Sequence, residues 1–490
     1  MLFSDLKNKK VVVMGLGLYK EGSGVMAARF FAKRGARVLV TDLREENELA
    51  PALRRLKHFK NISYVLGRHR PKDFRTADLI FQNPSVPATS PYLKIALKAG
   101  VPIVNDWSIF LSLCQPKFLI GVTGTRGKST TTTLIYEMIR RKHKRARLAG
   151  NLGVSPLSFI DSYRNEPIVA ELSSWLLHHF STIKKSPQVS VVTNILRDHL
   201  DKYPSMREYI ADKENIFRFQ KKEDMVVLNY DNLITRQLAK KAPGRVLWFS
   251  LKPLPSYLEG ASLWKETLVF QQAQRQINFL PMNQLKIIGW HNIANALAAL
   301  TVAWTIGISK KDIVYVLKTF SGLPNRLELI AEIEGVKYYN DTTATTPDAT
   351  IAALLSLSFQ DKNQKNSSRE PLPLAQKKIV LIAGGSDKNL EYKQLAKYIK
   401  DYCKAVILLP GTATEKLKSE IANYKLEKRE ALNMKEAVTL AKNFALEGDI
   451  VLLSPGAASF GLFKNEFDRG KQFVKLVNSL AKQKIEKKKR

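Results

Sequence analysis

The sequence predicts an α/β protein of three domains, and three observations predict it. Residues 121–132, GVTGTRGKSTTT, read as a strand, a glycine loop and a helix start. Residues 1–112 alternate strand-like and helix-like patterns, beginning with an apolar run that enters Gly15-Leu16-Gly17. Beyond residue 325, three runs rich in Val, Ile and Leu each end in a glycine turn: IVLIAGGSDK, AVILLPGTAT and DIVLLSPGAAS. Continuous apolar strands of that kind suit a parallel sheet covered on both faces. A chain of 490 residues agrees, at about 150 residues per domain.

Composition narrows the function classes. Hydrophobic residues make up 45% of the chain, enough for substantial cores. The two cysteines, Cys114 and Cys403, lie far apart and outside any C-x-x-C pair, which argues against a disulfide framework or structural zinc. The N-terminal MLFSDLKNKK has no apolar signal core, and no run reaches the ~18 residues needed to span a bilayer, so a cytosolic chain without a membrane partner is expected. Lys and Arg number 78 against 44 Asp and Glu, a formal charge of +34. Most of that charge is dispersed, and its densest clusters, 140–147 and 482–490, fall at helix ends where solvated cations are normal. A nucleic-acid partner is therefore not expected, while the positive field favours polyanionic substrates such as nucleotides.

In chain order, residues 10–15 form a strand and residues 37–41 a second one closing at Asp42. A dinucleotide fingerprint would place a third glycine at position 20, which is Lys20, so NAD is weakly supported. Gly22 and Gly24 suggest a lengthened loop, and Asp42 and Arg44 lie where a ribose or base would sit.

The middle segment, 113–324, opens on the phosphate loop. An apolar run from 117 through Val122 leads into it, and Leu134, Ile135 and Met138 share one face of the helix after it. Backbone N–H groups and a helix N-terminus then converge on an anion. Lys128 would meet the β and γ phosphates and Ser129 would reach Mg²⁺. Four polar clusters follow. Asn151 sits in a turn after a strand. Glu171 in ELSSW ends the run 167–170 at a strand's carboxyl edge, where open α/β sheets bind ligands and a carboxylate suits Mg²⁺. Asp198, His199 and Asp201 follow a strand at 189–195, and His199 is read as a metal ligand. Tyr209 and Lys213 are four apart on a helix, and a helix starting near His291 carries Asn292 and Asn295 in its first turn. GLPNR, 322–326, reads as a hinge, and 361–378 as a polar surface loop before the next strand.

Taken in order, the phosphate loop, Asn151, ELSS, DHLD, YIADK, HNIAN, GLPNR, NDTTATTPDA, GGSDK and SPGAASFGLFKNEFDRG resemble the Mur ligase family, and within it the MurD family. The resemblance covers essentially the whole chain. It implies a Rossmann-like N-terminal domain (1–112) holding the UDP part of a substrate, a P-loop-type central ATPase domain (113–324), and a Rossmann-like C-terminal domain (325–490) that closes on ATP and the amino acid. The implied reaction is ATP-dependent ligation of glutamate, in the D form, to UDP-N-acetylmuramoyl-L-alanine through an acyl phosphate, in cytoplasmic peptidoglycan synthesis.

The family's functional residues carry over by position. ATP falls to Gly124, Thr125, Arg126, Gly127, Lys128, Ser129, Thr130, Asn292, Asn295, Arg326 and Asp341. Two Mg²⁺ ions fall to Ser129, Glu171, His199 and a carbamylated Lys213, with Lys128, Glu171, His199 and Lys213 forming the catalytic set. Carbamylation needs a neutral amine, hence burial or neighbouring cations to lower an ordinary lysine pKa of about 10.4. The UDP-sugar falls to Gly17, Leu18, Asp42, Arg44, Asn151 and Ser173, and glutamate to Lys388, Ser459 and Phe460. A monomer is expected. The chain departs from the family pattern at Arg126 (commonly Asn), Leu176 (commonly Gln) and Thr343 (commonly Lys), and its last aromatic is shifted, with Glu466 before Phe467. The alternatives are specificity for L-glutamate or another acidic amino acid, a folylpolyglutamate-type ligase, and a basic nucleic-acid-binding ATPase.

Overall fold

The computed structural model describes residues 3, 5–18, 21–87, 89–116, 118–151, 154–198, 203–358 and 377–489, with side chains to 482. The chain divides into two compact units, residues 1–285 with 294–319, and residues 286–293 with 320–490.

The first unit holds two sheets. Strands β1 (Lys10–Met14), β2 (Arg37–Asp42), β3 (Ile62–Leu66), β4 (Leu79–Gln82) and β5 (Ile103–Val104) form a parallel sheet in the order β3-β2-β1-β4-β5. The order reverses at β1, so the turn leaving β1 lies at the switch point where doubly wound sheets bind ligands. The helix Ser23–Lys33 returns over this sheet and begins earlier than a long glycine loop would allow. Gly24 belongs to its first turn, where an added Cβ would collide with the Gly15 and Leu16 carbonyls. Its glycine therefore serves close helix packing rather than a flexible loop.

The second sheet comprises β6 (Leu119–Thr123), β7 (Arg147–Gly150), β8 (Ile168–Glu171), β9 (Val189–Val192), β10 (Met225–Asn229), β11 (Arg245–Ser250), β12 (Gly260–Trp264), β13 (Thr267–Gln272) and β14 (Arg275–Pro281). Its order is β14-β13-β12-β11-β10-β9-β6-β8-β7, parallel from β7 to β12 and antiparallel over the last three. Strand β9 stops at Val192, three residues before the apolar pattern does, because Thr193 and Asn194 leave the ladder to hold the neighbouring phosphate loop.

The second unit holds β15 (Glu328–Ile333), β16 (Val336–Asn340), β17 (Ile379–Gly384), β18 (Cys403–Leu409), β19 (Glu427–Glu430) and β20 (Ile450–Leu453) in the order β15-β16-β20-β17-β18-β19. All its pairings are parallel except β15 with β16. The three apolar runs expected after residue 325 are β17, β18 and β20, and their side chains are buried on both faces. The polar stretch expected as a loop before β17 falls largely outside the described residues. The basic C-terminal run continues the helix Glu466–Lys489. Cys114 and Cys403 are free thiols. Among the described residues no helix is long and apolar enough to cross a membrane.

Candidate functional site

The phosphate loop leaves β6 and enters the helix Lys128–Lys142 directly after Gly127. Leu134, Ile135 and Met138 bury one face of this helix against the sheet. Gly124 and Gly127 have φ of 145° and 82°, values that favour glycine. An added Cβ would strike the Thr193 hydroxyl at the first and the Asn295 amide oxygen at the second.

Neighbouring elements grip the loop. Thr125 N donates to Asn194 O (2.8 Å), Arg126 N donates to Asn194 Oδ1 (2.9 Å), and Thr193 Oγ1 and Asn194 Nδ2 both donate to Arg126 O. The Thr125 hydroxyl meets the Tyr209 hydroxyl at 3.1 Å, and Thr131 Oγ1 donates to Asn295 Oδ1 (3.2 Å). Arg126, at the family's Asn position, pairs with Asp198 at 3.5 Å. Asn194 and Thr193 escaped the sequence reading. Their only signal was two polar residues directly after a buried strand.

Two lysine amines converge inside the loop. Lys128 Nζ donates to Gly124 O and Thr125 O, each at 3.0 Å, and Lys213 Nζ donates to the same Gly124 O at 2.9 Å. Lys213 lies on the helix Met206–Glu214 and is 2% exposed, with its Nζ 4.6 Å from the Tyr209 ring centre. Burial, then the charge of Lys128, pushes its pKa well below the ordinary lysine value, against the opposing pull of Asp198, Asp212 and Glu171. The fold thus takes this helix lysine out of water.

Glu171 ends β8 and is buried, and its Oε2 has no hydrogen-bond partner. An orphaned buried carboxylate oxygen costs free energy unless a cation meets it. Ser129, buried in the first turn of the phosphate-loop helix, adds a hydroxyl oxygen. Such oxygen donors fit Mg²⁺, which keeps few protein ligands. Among the described residues no three His, Cys, Asp or Glu side chains form a metal cluster. His199 and Asp201 lie outside the described residues.

The loop after β7 approaches the same edge. Asn151 N donates to Glu171 O (2.9 Å), while its side chain is exposed. Ser173 caps the helix Ser174–His178 by accepting from Leu176 N, and Leu176, at the family's Gln position, is buried. In the first sheet, Asp42 is buried: its Oδ2 accepts from Leu16 N (2.8 Å) and Gly17 N (3.4 Å), and its Oδ1 from Arg44 N (3.0 Å). Leu18 and the Arg44 side chain are exposed beside this turn.

In the second unit, Asp341 follows β16. Its Oδ1 accepts from Leu327 N (3.1 Å) and its Oδ2 from the Ser454 hydroxyl (2.8 Å), while burial raises its pKa to about 7 despite these donors and the Arg326 charge. Asn292 lies in the first turn of the helix Trp290–Thr305, where its Nδ2 donates to Ile288 O (2.8 Å). Lys388 Nζ donates to Thr345 Oγ1 (3.2 Å), Ser459 is buried, and Phe460 is 67% exposed. Thr343, at the family's Lys position, donates its hydroxyl to Asn325 O (3.0 Å). Arg469, within the SPGAASFGLFKNEFDRG motif but given no role by the sequence reading, is fully buried and donates to Thr342 Oγ1, Thr342 O and Ala457 O, tying together the loops after β16 and β20.

Comparison with known proteins bears on this arrangement. The Mur ligase MurD-like N-terminal domain matches residues 9–105, the Mur ligase middle domain residues 122–303, and the Mur ligase glutamate ligase domain residues 325–456. A UDP-N-acetylmuramoylalanine–D-glutamate ligase of Roseiflexus sp. (strain RS-1) is 40% identical over 97% of this chain and 99% of its own. Its counterpart in Acetivibrio thermocellus is 37% identical over 97% of each chain. The crystal structure of the UDP-N-acetylmuramate-alanine ligase MurC from Thermotoga maritima shares the fold, with a TM-score of 0.61 at 21% identity, covering 96% of this chain and all of that one.

Proposed function

The chain belongs to the Mur ligase family, and on that premise we propose that it joins D-glutamate to UDP-N-acetylmuramoyl-L-alanine, with ATP cleaved to ADP and phosphate, in the cytoplasmic synthesis of peptidoglycan precursors. The observation that carries this reading is similarity to D-glutamate ligases over nearly the entire chain, rather than over the ATP core alone. A folylpolyglutamate-type enzyme would share only that core.

The alanyl carboxylate attacks the γ-phosphate of ATP, forming the acyl phosphate and releasing ADP. The glutamate amine then attacks the acyl carbon and loses a proton, and phosphate departs from the tetrahedral intermediate. Two anions approach in the first step, so catalysis rests on charge neutralisation and alignment. Lys128 supplies one fixed charge to the phosphates, and the loop 124–127 with the helix N-terminus behind it supplies oriented dipoles.

Bound Mg²⁺ adds Lewis-acid neutralisation of the phosphate oxygens. Ser129 and Glu171 would hold it, together with His199 and Lys213 as a carbamate, two ions in all. The low pKa of Lys213 supports that last role, since a neutral amine adds CO₂ and releases a proton to become an anionic oxygen donor. Asn295, against the phosphate loop, and Asn292, Arg326 and Asp341 are assigned to ATP. Gly17, Leu18, Asp42, Arg44, Asn151 and Ser173 are assigned to the nucleotide sugar, and Lys388, Ser459 and Phe460 to glutamate. These roles fall in segments 1–112, 113–324 and 325–490, which we take as the three domains of a monomer.

The test is phosphate release by the purified protein with ATP, Mg²⁺ and UDP-N-acetylmuramoyl-L-alanine, with D-glutamate and L-glutamate in parallel. Turnover with the D isomer and an amide product of the right mass is expected. Turnover with L-glutamate alone, or with neither, overturns the assignment.

A further inference from the structure

Asp106 opens the helix Asp106–Leu113, is 1% exposed, and was marked by no sequence motif. Its Oδ2 accepts from two hydroxyls on separate elements, Ser23 Oγ at 2.6 Å and Ser155 Oγ at 2.9 Å, and its Oδ1 from Trp107 N at 3.0 Å. Neither Lys nor Arg pairs with it among the described residues. A buried carboxylate without a cation is a costly group to keep, and its hydrogen bonds must repay the lost hydration.

Both hydroxyls lead to surfaces assigned to the nucleotide sugar. Ser23 begins the helix Ser23–Lys33, whose Gly24 lies against the Gly15 and Leu16 carbonyls, so the turn 15–17 packs directly on that helix. Ser155 closes the loop opened by Asn151. That loop is pinned at its far end by Gly150 N to Val154 O (2.8 Å) and Asn151 N to Glu171 O (2.9 Å). A third bond runs alongside, from Ser155 N to Glu21 O (3.3 Å). One carboxylate oxygen therefore joins the turn of the first sheet to a loop of the second.

We propose that Asp106 is a positioning residue that clasps the glycine turn 15–17 to the Asn151 loop and so sets the spacing between the uridine and muramoyl ends of the substrate-binding surface. The inference rests on the ligase assignment for the identity of that substrate. Asp106 itself touches no substrate. It acts through Ser23 and Ser155, so losing it should alter recognition of the one substrate long enough to contact both surfaces.

The experiment compares full-length wild type with Asp106→Asn, Ser23→Ala, Ser155→Ala and Ser155→Thr. It reads the KM for each of the three substrates and the calorimetric Kd for UDP-N-acetylmuramoyl-L-alanine alone. In Asp106→Asn both KM and Kd for the nucleotide sugar should rise on the order of tenfold, as loss of a buried hydrogen bond implies. The KM values for ATP and D-glutamate should stay within about twofold, since neither Ser23 nor Ser155 is assigned to those substrates. Each Ser→Ala variant should give a smaller shift of the same selectivity, and Ser155→Thr, which keeps the hydroxyl, should restore the wild-type values. Should Asp106→Asn fail to fold, the serine variants decide. Equal shifts for all three substrates, or an unchanged nucleotide-sugar KM and Kd, overturn the proposal. Wild type that neither binds nor turns over the nucleotide sugar overturns the ligase assignment instead.

Discussion

Two glycine turns leave the leading strands of the two sheets in the first unit, and they differ in where the negative charge comes from. At the turn after β1, the chain supplies it: Asp42 takes up the Leu16 and Gly17 N–H groups. At the loop after β6, the side chains reaching in are two lysine amines, Lys128 and Lys213, both on the Gly124 carbonyl. Burial and the charge of Lys128 hold the Lys213 amine well below its ordinary pKa, so the loop pairs one lysine suited to phosphate with one poised to lose its proton. The lesson is that similar backbone turns are not similar sites. The first is a braced wall, and the second is an anion receptor with a suppressed amine beside it.

The largest expected effect breaks the comparison if it fails. Lys128→Ala should lower ADP formation by about 100-fold or more, the scale of losing one preorganised charge in a phosphoryl-transfer site. Near-normal turnover would reduce the loop to another braced turn. Next comes Lys213→Gln, expected to lose on the order of 100-fold in kcat. Wild type in ¹³C-bicarbonate should show a carbamate resonance that the variant lacks, and the same resonance in both would remove the carbamate from Lys213. Asp42→Ala sharpens the other side: leaving the buried Leu16 N–H and the half-buried Gly17 N–H without their acceptor should cost about 1–3 kcal/mol in stability, read by denaturant unfolding. It should weaken nucleotide-sugar binding while leaving the ATP KM nearly unchanged, and an equal effect on ATP would show that the two turns are not independent.

A smaller effect tests the second unit. The folded pKa of Asp341, about 7, lies above the unfolded value near 3.8, so the folded state holds a proton that the unfolded state has released. Its contribution to stability is fully present below about pH 4 and is lost as pH rises through about 7. Asp341→Asn should flatten that decline in a pH series of unfolding midpoints, and an unchanged slope would place the titration elsewhere. The smallest effect belongs to the basic run at the end of the phosphate-loop helix. Arg141 pairs with Asp312 at 3.0 Å in a partly exposed setting, and Arg141→Ala should cost no more than about 1 kcal/mol and spare turnover.

Much of this site could be read in the residues because its chemistry is local. A glycine loop between a buried strand and a helix requires Gly124 and Gly127 at positive φ, and the lysine that follows is placed by the helix itself. The second-sheet extension was illegible for an equally local reason. The β12–β13 and β13–β14 turns are built on Lys265-Glu266 and Ala273-Gln274, all with positive φ, where sequence rules look for Asn-Gly or Gly. Gly24 misled in the opposite sense, since its glycine answers to a carbonyl packed against it rather than to a turn.

By itself the sequence determined the α/β class, the parallel runs β17, β18 and β20, the phosphate loop and the order of polar clusters, because periodicity, glycine spacing and strand-end carboxylates are properties of neighbouring residues. Only the tertiary structure decided what was done with single polar groups. It left Glu171 Oε2 without a partner, buried Lys213 beside Lys128, turned Asp42 inward onto its own turn, and set Asp106 between two serines 132 residues apart in sequence. The physical reason is that desolvation and charge pairing depend on every element packed around a group, and residues distant along the chain supply most of those elements.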